Sequence, residues 1–216
     1  MKPNTNTAQA TPSQEGIIDL TLKHIKTHKK ALLITGAAVL LAVCGFYAYQ
    51  YQVNKKYQEQ WSKLFLAELD FVSSGNGSLS AMENYAKQYA ATPAGAYANF
   101  VLGNAYYQAQ KYSEAQNAFE QTVKYGAKEL ADMASISLIA TQIAAQKYDQ
   151  ALSGAETFIA QNPTYYSMGQ VHQYKALAQE LSGKKQDAKA TYLQIKESYP
   201  ETYYSVFAEM RLNELG

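Results

Sequence analysis

Cysteine is nearly absent from this chain of 216 residues, which has one cysteine, Cys44, and three histidines. Without a second cysteine the chain forms no internal disulfide, so any folded domain is stable without covalent cross-links. Catalytic motifs are lacking as well: the sequence has no G-x-S-x-G nucleophile elbow and no phosphate-binding glycine loop. These absences predict a protein that is not an enzyme and uses no cofactor or small-molecule substrate.

The few histidines do not form a metal-binding motif. His24 and His28 are four residues apart, but the sequence places no third ligand near them. His172 stands alone in the C-terminal half, and a lone histidine of this kind is more often solvated or hydrogen-bonded than catalytic. We therefore predict no metal site.

Charge is sparse and unevenly placed. The formal net charge is +1, and charged residues make up 17% of the chain. Residues 1–30 hold five lysines against Glu15 and Asp19, whereas the remainder holds fourteen basic and sixteen acidic residues. A nearly neutral, mildly acidic C-terminal region lacks the basic surface that nucleic-acid binding requires. We expect no nucleic acid as a partner.

One long apolar run is present, over residues 31–51, and Ala31 to Tyr49 contain no charged residue. At about 1.5 Å per helical residue, the run nearly covers a bilayer core of about 30 Å. Tyr47, Tyr49 and Tyr51 lie at its far end, where aromatic rings favour the lipid headgroup layer. The run therefore predicts a single transmembrane helix over 31–51.

The flanks of this run predict its orientation. Lysines 23, 26, 29 and 30 precede the run, and only Lys55 and Lys56 follow it closely. By the positive-inside rule the N-terminus is cytoplasmic and the large C-terminal region is periplasmic or exoplasmic. Residues 1–14 lack apolar content and predict a disordered cytosolic tail.

Residues 15–30 predict a basic amphipathic segment next to the membrane. Its apolar side chains at helical spacing are Ile17, Ile18, Leu22 and Ile25. Such a segment fits an anionic lipid surface or the cytosolic face of a partner. A helical extension of the span with solvated charges fits the same pattern, so both interpretations stay open.

Processing of the N-terminus offers alternatives to an anchor. Some thirty residues precede the apolar run and no A-x-A-like site follows it closely, which disfavours a cleaved signal peptide. Leu41-Ala42-Val43-Cys44 resembles a lipoprotein signal, but Val43 stands where that family has Gly, Ala or Ser. We expect an uncleaved anchor with Cys44 as an ordinary membrane residue, and an acylated lipoprotein is the alternative.

The C-terminal region contains an internal repeat. The segments KYSEAQNAF, KYDQALSGA and KKQDAKATY begin at Lys111, Lys147 and Lys184. The repeated alanines are Ala81, Ala115, Ala151 and Ala188; four residues later come Tyr85, Phe119, Ala155 and Tyr192, and twelve later come Pro93, Ala127, Pro163 and Pro200. A period near 34–37 residues indicates stacked helical pairs, three of the four ended by a proline that cannot continue a helix.

This pattern resembles the tetratricopeptide repeat. The second unit fits best, with Leu102-Gly103, Tyr106, Ala115 and Phe119 in step with the family motif. The resemblance implies an all-α fold: the N-terminal transmembrane helix, then an α-solenoid of about four degenerate helical pairs and a C-terminal capping helix. The expected units within 57–216 are 57–93, 96–127, 131–163 and 170–200, with the cap at 201–216. Ser113, Asp149 and Asp187 are the expected N-caps of the second helices.

A curved stack of helical pairs binds partners on the concave face that its first helices line. The register places inward Tyr97, Phe100, Asn104 and Tyr107 in the second unit and Gln170, Gln173 and Leu177 in the fourth. Tyr97 and Phe100 fit the core between helices equally well. The family's carboxylate clamp needs asparagines in successive units, but Ala140 stands at the place equivalent to Asn104. We expect an apolar groove with polar edges for extended or unfolded segments.

The whole layout is similar to the single-span ancillary subunits of the bacterial SecYEG translocon. A basic leader, one span, an aromatic junction around Tyr57 and Trp61 and a helical repeat region follow one another. The resemblance implies a cell inner-membrane protein that links exported chains, through the Sec translocon, to periplasmic chaperones. The alternative is a scaffold of envelope assembly, a secretion system or cell division, including an outer-membrane lipoprotein acylated at Cys44.

Overall fold

The computed structural model describes residues 14–73 and 79–216, with side chains from Asp19 and from Leu22 onward. The helices in this part of the chain are α1 (Gln14–Thr27), α2 (Lys29–Ser73), α3 (Ser80–Gln88), α4 (Pro93–Gln108), α5 (Tyr112–Tyr125), α6 (Lys128–Ala144), α7 (Tyr148–Gln161), α8 (Met168–Leu181), α9 (Lys185–Ser198) and α10 (Tyr203–Leu215). The described residues form no strand. The predicted all-α class is confirmed: a long apolar N-terminal helix precedes a solenoid of helical pairs and a last single helix.

Two expectations fall on residues that are not described. The expected disordered tail, residues 1–14, lies outside the described residues except for its last residue, which begins α1. Of the apolar face expected on α1, only the side chains of Leu22 and Ile25 are described, and both are exposed.

The chain divides into two compact units, residues 1–58 and 59–216, and the division falls inside α2. In the first unit every side chain from Leu22 to Gln58 is exposed. The helix α2 is 45 residues long, and its most apolar 18-residue window has a mean hydropathy of 2.2 with no buried residue. By length and composition alone, α2 can cross a membrane.

In the second unit each helix from α3 to α10 packs against the next one along the chain. Contacts also join α4 to α6, α6 to α8, and α8 to α10, whereas α3, α5, α7 and α9 do not contact one another within the described residues. We call α4, α6, α8 and α10 the first helices, and α3, α5, α7 and α9 the second helices. The stack therefore closes on the side of the first helices, which we call the first-helix face.

The end of α2 supplies the first helix of the first pair. Leu64 and Ala67 of α2 lie in one buried cluster with Met82 and Tyr85 of α3. The hydroxyl group of Tyr85 also donates a hydrogen bond of 2.8 Å to the backbone carbonyl of Gln60. Four helical pairs are thus followed by α10, whose Ala208 is fully buried against the last pair.

The three turns inside the later pairs share one geometry. Gln110, Gln146 and Gly183 adopt φ values of 59°, 61° and 84° directly after the first helices. The amide groups of the lysines that follow, Lys111, Lys147 and Lys184, donate back to the carbonyls of Tyr106, Gln142 and Gln179. This is the Schellman arrangement, which satisfies the last carbonyls of a helix. Each repeated segment therefore begins at the residue that follows the turn residue.

The expectation about helix caps is wrong. The helices α5, α7 and α9 have Lys111, Lys147 and Lys184 at the N-cap, and no side chain caps them. Ser113, Asp149 and Asp187 lie instead inside the first turn, because the Schellman turn leads directly into the next helix. The two aspartates still place negative charge near the positive end of the helix dipole.

Pro93 also differs from its expected role. It is the first residue of α4 rather than the end of a unit, and Thr92 is the N-cap, whose side chain accepts a hydrogen bond of 3.1 Å from the amide of Gly95. Proline is favoured at this position because its missing N–H has no partner in the helix and its φ is already helical. Pro163 and Pro200 follow α7 and α9, as expected.

Candidate functional site

A pocket of about 180 Å³ lies on the first-helix face, where three successive first helices meet. We call it the first-helix pocket. Its lining residues are Asn104 and Tyr107 of α4, Phe119 of α5, Ile136, Ser137 and Ala140 of α6, and Gln170 and Tyr174 of α8. None of these side chains carries a charge. The pocket therefore suits a neutral group whose size is that of an amino-acid side chain.

The floor of the first-helix pocket is apolar and closely packed. Phe119 is 1% exposed and Ile136 is 7% exposed. The ring of Phe119 lies against the backbone of α4 at Gly103, where an added Cβ atom would come 2.6 Å from ring atom Cε1. Only glycine allows this approach, so Gly103 determines where the second helix α5 places its aromatic ring.

Tyr107 of the second unit and Tyr174 of the fourth unit form part of the rim of the first-helix pocket. Burial raises the pKa of Tyr107, and the neighbouring phenols of Tyr174 and Tyr112 add to the shift. The Tyr107 hydroxyl is therefore neutral at physiological pH, and it can donate and accept hydrogen bonds. The ring of Tyr112 packs edge-on against that of Tyr107, with 5.8 Å between centroids.

Amide side chains supply the polar edge. The amide nitrogen of Asn104 donates 2.9 Å to the carbonyl of Phe100, and that of Gln170 donates 3.0 Å to the hydroxyl of Tyr174. Ser167 donates a further hydrogen bond of 3.2 Å to the side-chain oxygen of Gln170. These bonds orient both amides beside the apolar floor, where they can pair with the backbone of an extended segment.

Of the residues that the register placed on the concave face, Asn104, Tyr107 and Gln170 come together in this pocket. Phe100 does not line it, because its ring packs edge-on against Phe119 with 6.0 Å between centroids. Tyr97 packs into the core cluster of the first pair, where its ring lies 6.1 Å from that of Trp61.

In the fourth unit, too, some of the residues predicted for the concave face line the pocket and others do not. Gln173 is 8% exposed, and Leu177 is half-buried, and neither lines the first-helix pocket. Gln170 lines the pocket together with Tyr174, which the sequence reasoning missed. Tyr174 lies one helical turn after Gln170 and thus on the same side of α8, which was the available signal. Phe119 belongs to a second helix, and only the packing of α5 brings it into the pocket.

The described residues form no metal-binding site beside the first-helix pocket. Across residues 14–73 and 79–216, His, Cys, Asp and Glu side chains form no group of three or more that could hold a metal ion. Burial and the charge of Lys175 lower the pKa of His172, whose ring lies 6.0 Å from that of Tyr199. This imidazole is neutral at physiological pH and lies in the packing between α8 and the end of α9.

Comparison with known proteins identifies the architecture. The family described as the tetratricopeptide repeat-like domain matches residues 23–216. A solved structure that resembles the chain is the NMR structure of the first tetratricopeptide domain of human RPAP3, with 19% identity and a TM-score of 0.47 over 56% of this chain and 88% of that one. No curated protein matches the chain in sequence. The fold is one that serves as a scaffold for protein interaction, and the chain belongs to the tetratricopeptide repeat-like domain family.

Proposed function

We propose that this protein is a membrane-anchored scaffold that binds a segment of a partner protein on its first-helix face. The observation that carries this proposal is the first-helix pocket, to which α4, α6 and α8 of three successive units contribute side chains. A site that spans several units suits an extended ligand, because each unit contacts a different part of it. Binding is therefore the function of the repeat region, and no chemistry is required of it.

The pocket lining indicates the chemistry of the ligand. Phe119, Ile136 and Ala140 offer an apolar surface, which favours an aliphatic or aromatic side chain. Asn104 and Gln170 stand beside it, where their amides can bond a ligand backbone that is not already in a helix or sheet. These features fit an unfolded or extended polypeptide better than a folded surface.

The anchor gives the proposal its cellular setting. The apolar part of α2, with lysines before it and tyrosines after it, supports one span with the repeat region on the exported side. An extended-chain binding site at the exported face of an inner membrane suits a subunit ancillary to the Sec translocon. There it would receive emerging chains or a periplasmic chaperone. Cys44 is then an exposed residue of the span.

Site-specific photocrosslinking in cells tests this proposal. A photoreactive phenylalanine at Tyr107 is expected to crosslink exported polypeptides together with translocon subunits or a periplasmic chaperone. The control for non-specific capture is the same photoreactive phenylalanine in place of Tyr203, which lies on α10 and is 69% exposed. Equal crosslinking from both positions, or recovery of division or secretion-system components alone, would contradict the proposal.

A second measurement tests the anchor independently. Mass spectrometry of the purified protein from the inner-membrane fraction is expected to show an intact N-terminal leader and an unmodified Cys44. A chain that begins at an acylated Cys44 and fractionates with the outer membrane would establish the lipoprotein alternative instead.

A further inference from the structure

A second and larger cavity lies on the other side of α4. It has a volume of about 440 Å³ and fills the gap between the second helices α3 and α5, which do not contact each other within the described residues. We call it the α3–α5 groove. Its walls are Glu83, Ala86 and Lys87 of α3 and Glu114, Asn117, Ala118 and Gln121 of α5, and Ala90 and the α4 residues Asn99, Leu102 and Tyr106 complete it.

Position along α4 separates this groove from the first-helix pocket. Asn99, Leu102 and Tyr106 recur at intervals of three and four residues and share one side of the helix. Asn104 and Tyr107 lie outside this side of the helix and line the first-helix pocket. The two cavities share no lining residue, so a ligand can occupy one without touching the other.

The opposite walls of the α3–α5 groove each carry a carboxylate. Glu83 stands on α3 and Glu114 on α5, and Tyr106 belongs to the floor. The hydroxyl of Tyr106 donates a hydrogen bond of 2.5 Å to Oε1 of Glu83. Burial raises the pKa of Tyr106 to about 12, and the hydrogen bond to Glu83 and the charges of Glu83 and Glu114 act in the same direction. Both carboxylates thus act electrostatically on the same point in the groove.

Neither carboxylate has a cationic partner among residues 14–73 and 79–216. None of the ion pairs among the described residues involves Glu83 or Glu114, and Lys87 of the same groove pairs with neither. Among the described residues that line the groove, Lys87 is the one basic residue, so the groove carries an excess of negative charge. Its floor nevertheless includes the buried apolar side chains of Ala86, Leu102 and Ala118.

The equivalent groove one unit later differs from the α3–α5 groove in charge. The cavity between α5 and α7 has a volume of about 240 Å³. Its lining is Val123, Ser135, Leu138, Ile139, Gln142, Ser153, Gly154, Thr157, Phe158 and Gln161, without a charged residue. The repeat architecture therefore produces such grooves, and of these two only the α3–α5 groove is acidic.

We propose that the α3–α5 groove binds a lysine or arginine side chain of a partner polypeptide. The aliphatic stem of such a side chain packs on Ala86, Leu102 and Ala118, because long basic side chains cover apolar surface along their stems. Its charged end lies between Glu83 and Glu114, where each carboxylate accepts a charge-assisted hydrogen bond. The occupant is a cationic segment, since an acidic one would meet two unpaired carboxylates.

The test uses the full-length protein in lipid nanodiscs and two fluorescent peptides. One peptide has the sequence Gly-Leu-Ala-Arg-Ala-Leu-Gly, and the other has citrulline, a neutral isostere, in place of arginine. Fluorescence anisotropy is expected to show the arginine peptide binding about three- to tenfold more tightly, as partly exposed ion pairs allow. This preference should shrink as salt is added, because salt screens exposed charges.

Three variants test which residues cause the tighter binding of the arginine peptide. The double variant Glu83→Gln, Glu114→Gln is expected to bind both peptides equally, whereas Lys87→Gln should bind the arginine peptide more tightly than the wild type. The matched control Glu129→Gln, Glu197→Gln removes the same charge outside both cavities and should retain the full preference.

Four outcomes would overturn the proposal: no binding of either peptide, equal affinity of the wild type for both, an unchanged preference in the double variant, or the same loss in the control. The variants Asn104→Ala and Tyr107→Ala should leave the preference intact. These variants change only the first-helix pocket. A failure of that pocket as a binding site can therefore be told apart from a failure of the α3–α5 groove.

Discussion

The hydroxyl group of Tyr192 in α9 donates a hydrogen bond of 2.9 Å to the carboxylate of Glu180 in α8. Arg211 of α10 binds the same carboxylate, with 3.1 Å between its Nε and Oε2 of Glu180. Burial alone would raise the pKa of Glu180, but the hydrogen bonds from Arg211 and Tyr192 outweigh it and hold the pKa below its usual range. One carboxylate thus links the last three helices of the stack.

This link predicts a pH dependence of stability. Since the folded-state pKa of Glu180 lies below its unfolded-state value of about 4.5, the stabilisation is fully present above that pH and is lost as pH falls through the folded-state pKa. Glu180→Gln is expected to lower the free energy of unfolding by about 2 kcal/mol at neutral pH, with a smaller difference at acid pH. Urea unfolding at neutral pH and at acid pH measures this difference in the free energy of unfolding, with Glu197→Gln as the control. A pH-independent difference would contradict it.

The contact between Gly103 and Phe119 predicts a steric effect. Gly103→Ala places a methyl group against the buried ring and is expected to destabilise the fold by about 1–3 kcal/mol, despite the better helix propensity of alanine. Phe119→Leu in the same chain should relieve the clash, so that the double variant costs less than the sum of the single variants. Thermal unfolding of all three variants tests this coupling, and additive losses would exclude it.

Thr92 and Ser113 form a matched pair for testing helix caps. Thr92→Ala removes the acceptor of the Gly95 amide at the start of α4, with an expected cost of about 1 kcal/mol. Ser113→Ala makes a similar change inside the first turn of α5, where no cap is lost, and its expected effect is below about 0.5 kcal/mol. Chemical denaturation compares the two. Equal losses would mean that Ser113 caps α5 after all.

The Schellman turns predict changes of opposite sign. Gly183→Ala forces a Cβ atom into the left-handed region and should cost about 1 kcal/mol. Gln146, at the equivalent turn, already bears that strain at φ 61°, so Gln146→Gly should stabilise the protein by about 0.5 kcal/mol. Denaturation midpoints of both variants check the signs, and destabilisation by both would show that the glutamine makes a compensating contact.

The residues predicted for the concave face divide between the first-helix pocket and the core. The repeat register predicted Asn104, Tyr107 and Gln170 on one face of the stack, because the helical period is the same in every unit, and these three residues line the first-helix pocket. It could not decide whether Tyr97 and Phe100 line a groove or the core, since both lie on the same broad stripe. Their neighbours Trp61 and Phe119 come from other helices, and only packing brings those rings together.

The N-caps were mispredicted for a related reason. Ser113 and Asp149 have the residue types that caps prefer, and the sequence shows them one or two positions after a turn. The chain leaves each first helix through a residue with positive φ, so the next helix begins earlier and Lys111 and Lys147 occupy the cap positions. Backbone geometry at a single turn residue overrode the preference of the side chains.

The sequence by itself determined that this protein is all-helical, that its C-terminal region is a tetratricopeptide-like stack, and that one apolar segment is long enough to span a membrane. These properties follow from period, length and composition, which are local and additive along the chain. Only the tertiary structure decided which side chains share a cavity: the first-helix pocket joins residues from four helices, and the acidic α3–α5 groove joins residues from three. Contacts between helices depend on how closely the backbones approach, and small residues such as Gly103 set that distance only once their partners are in place.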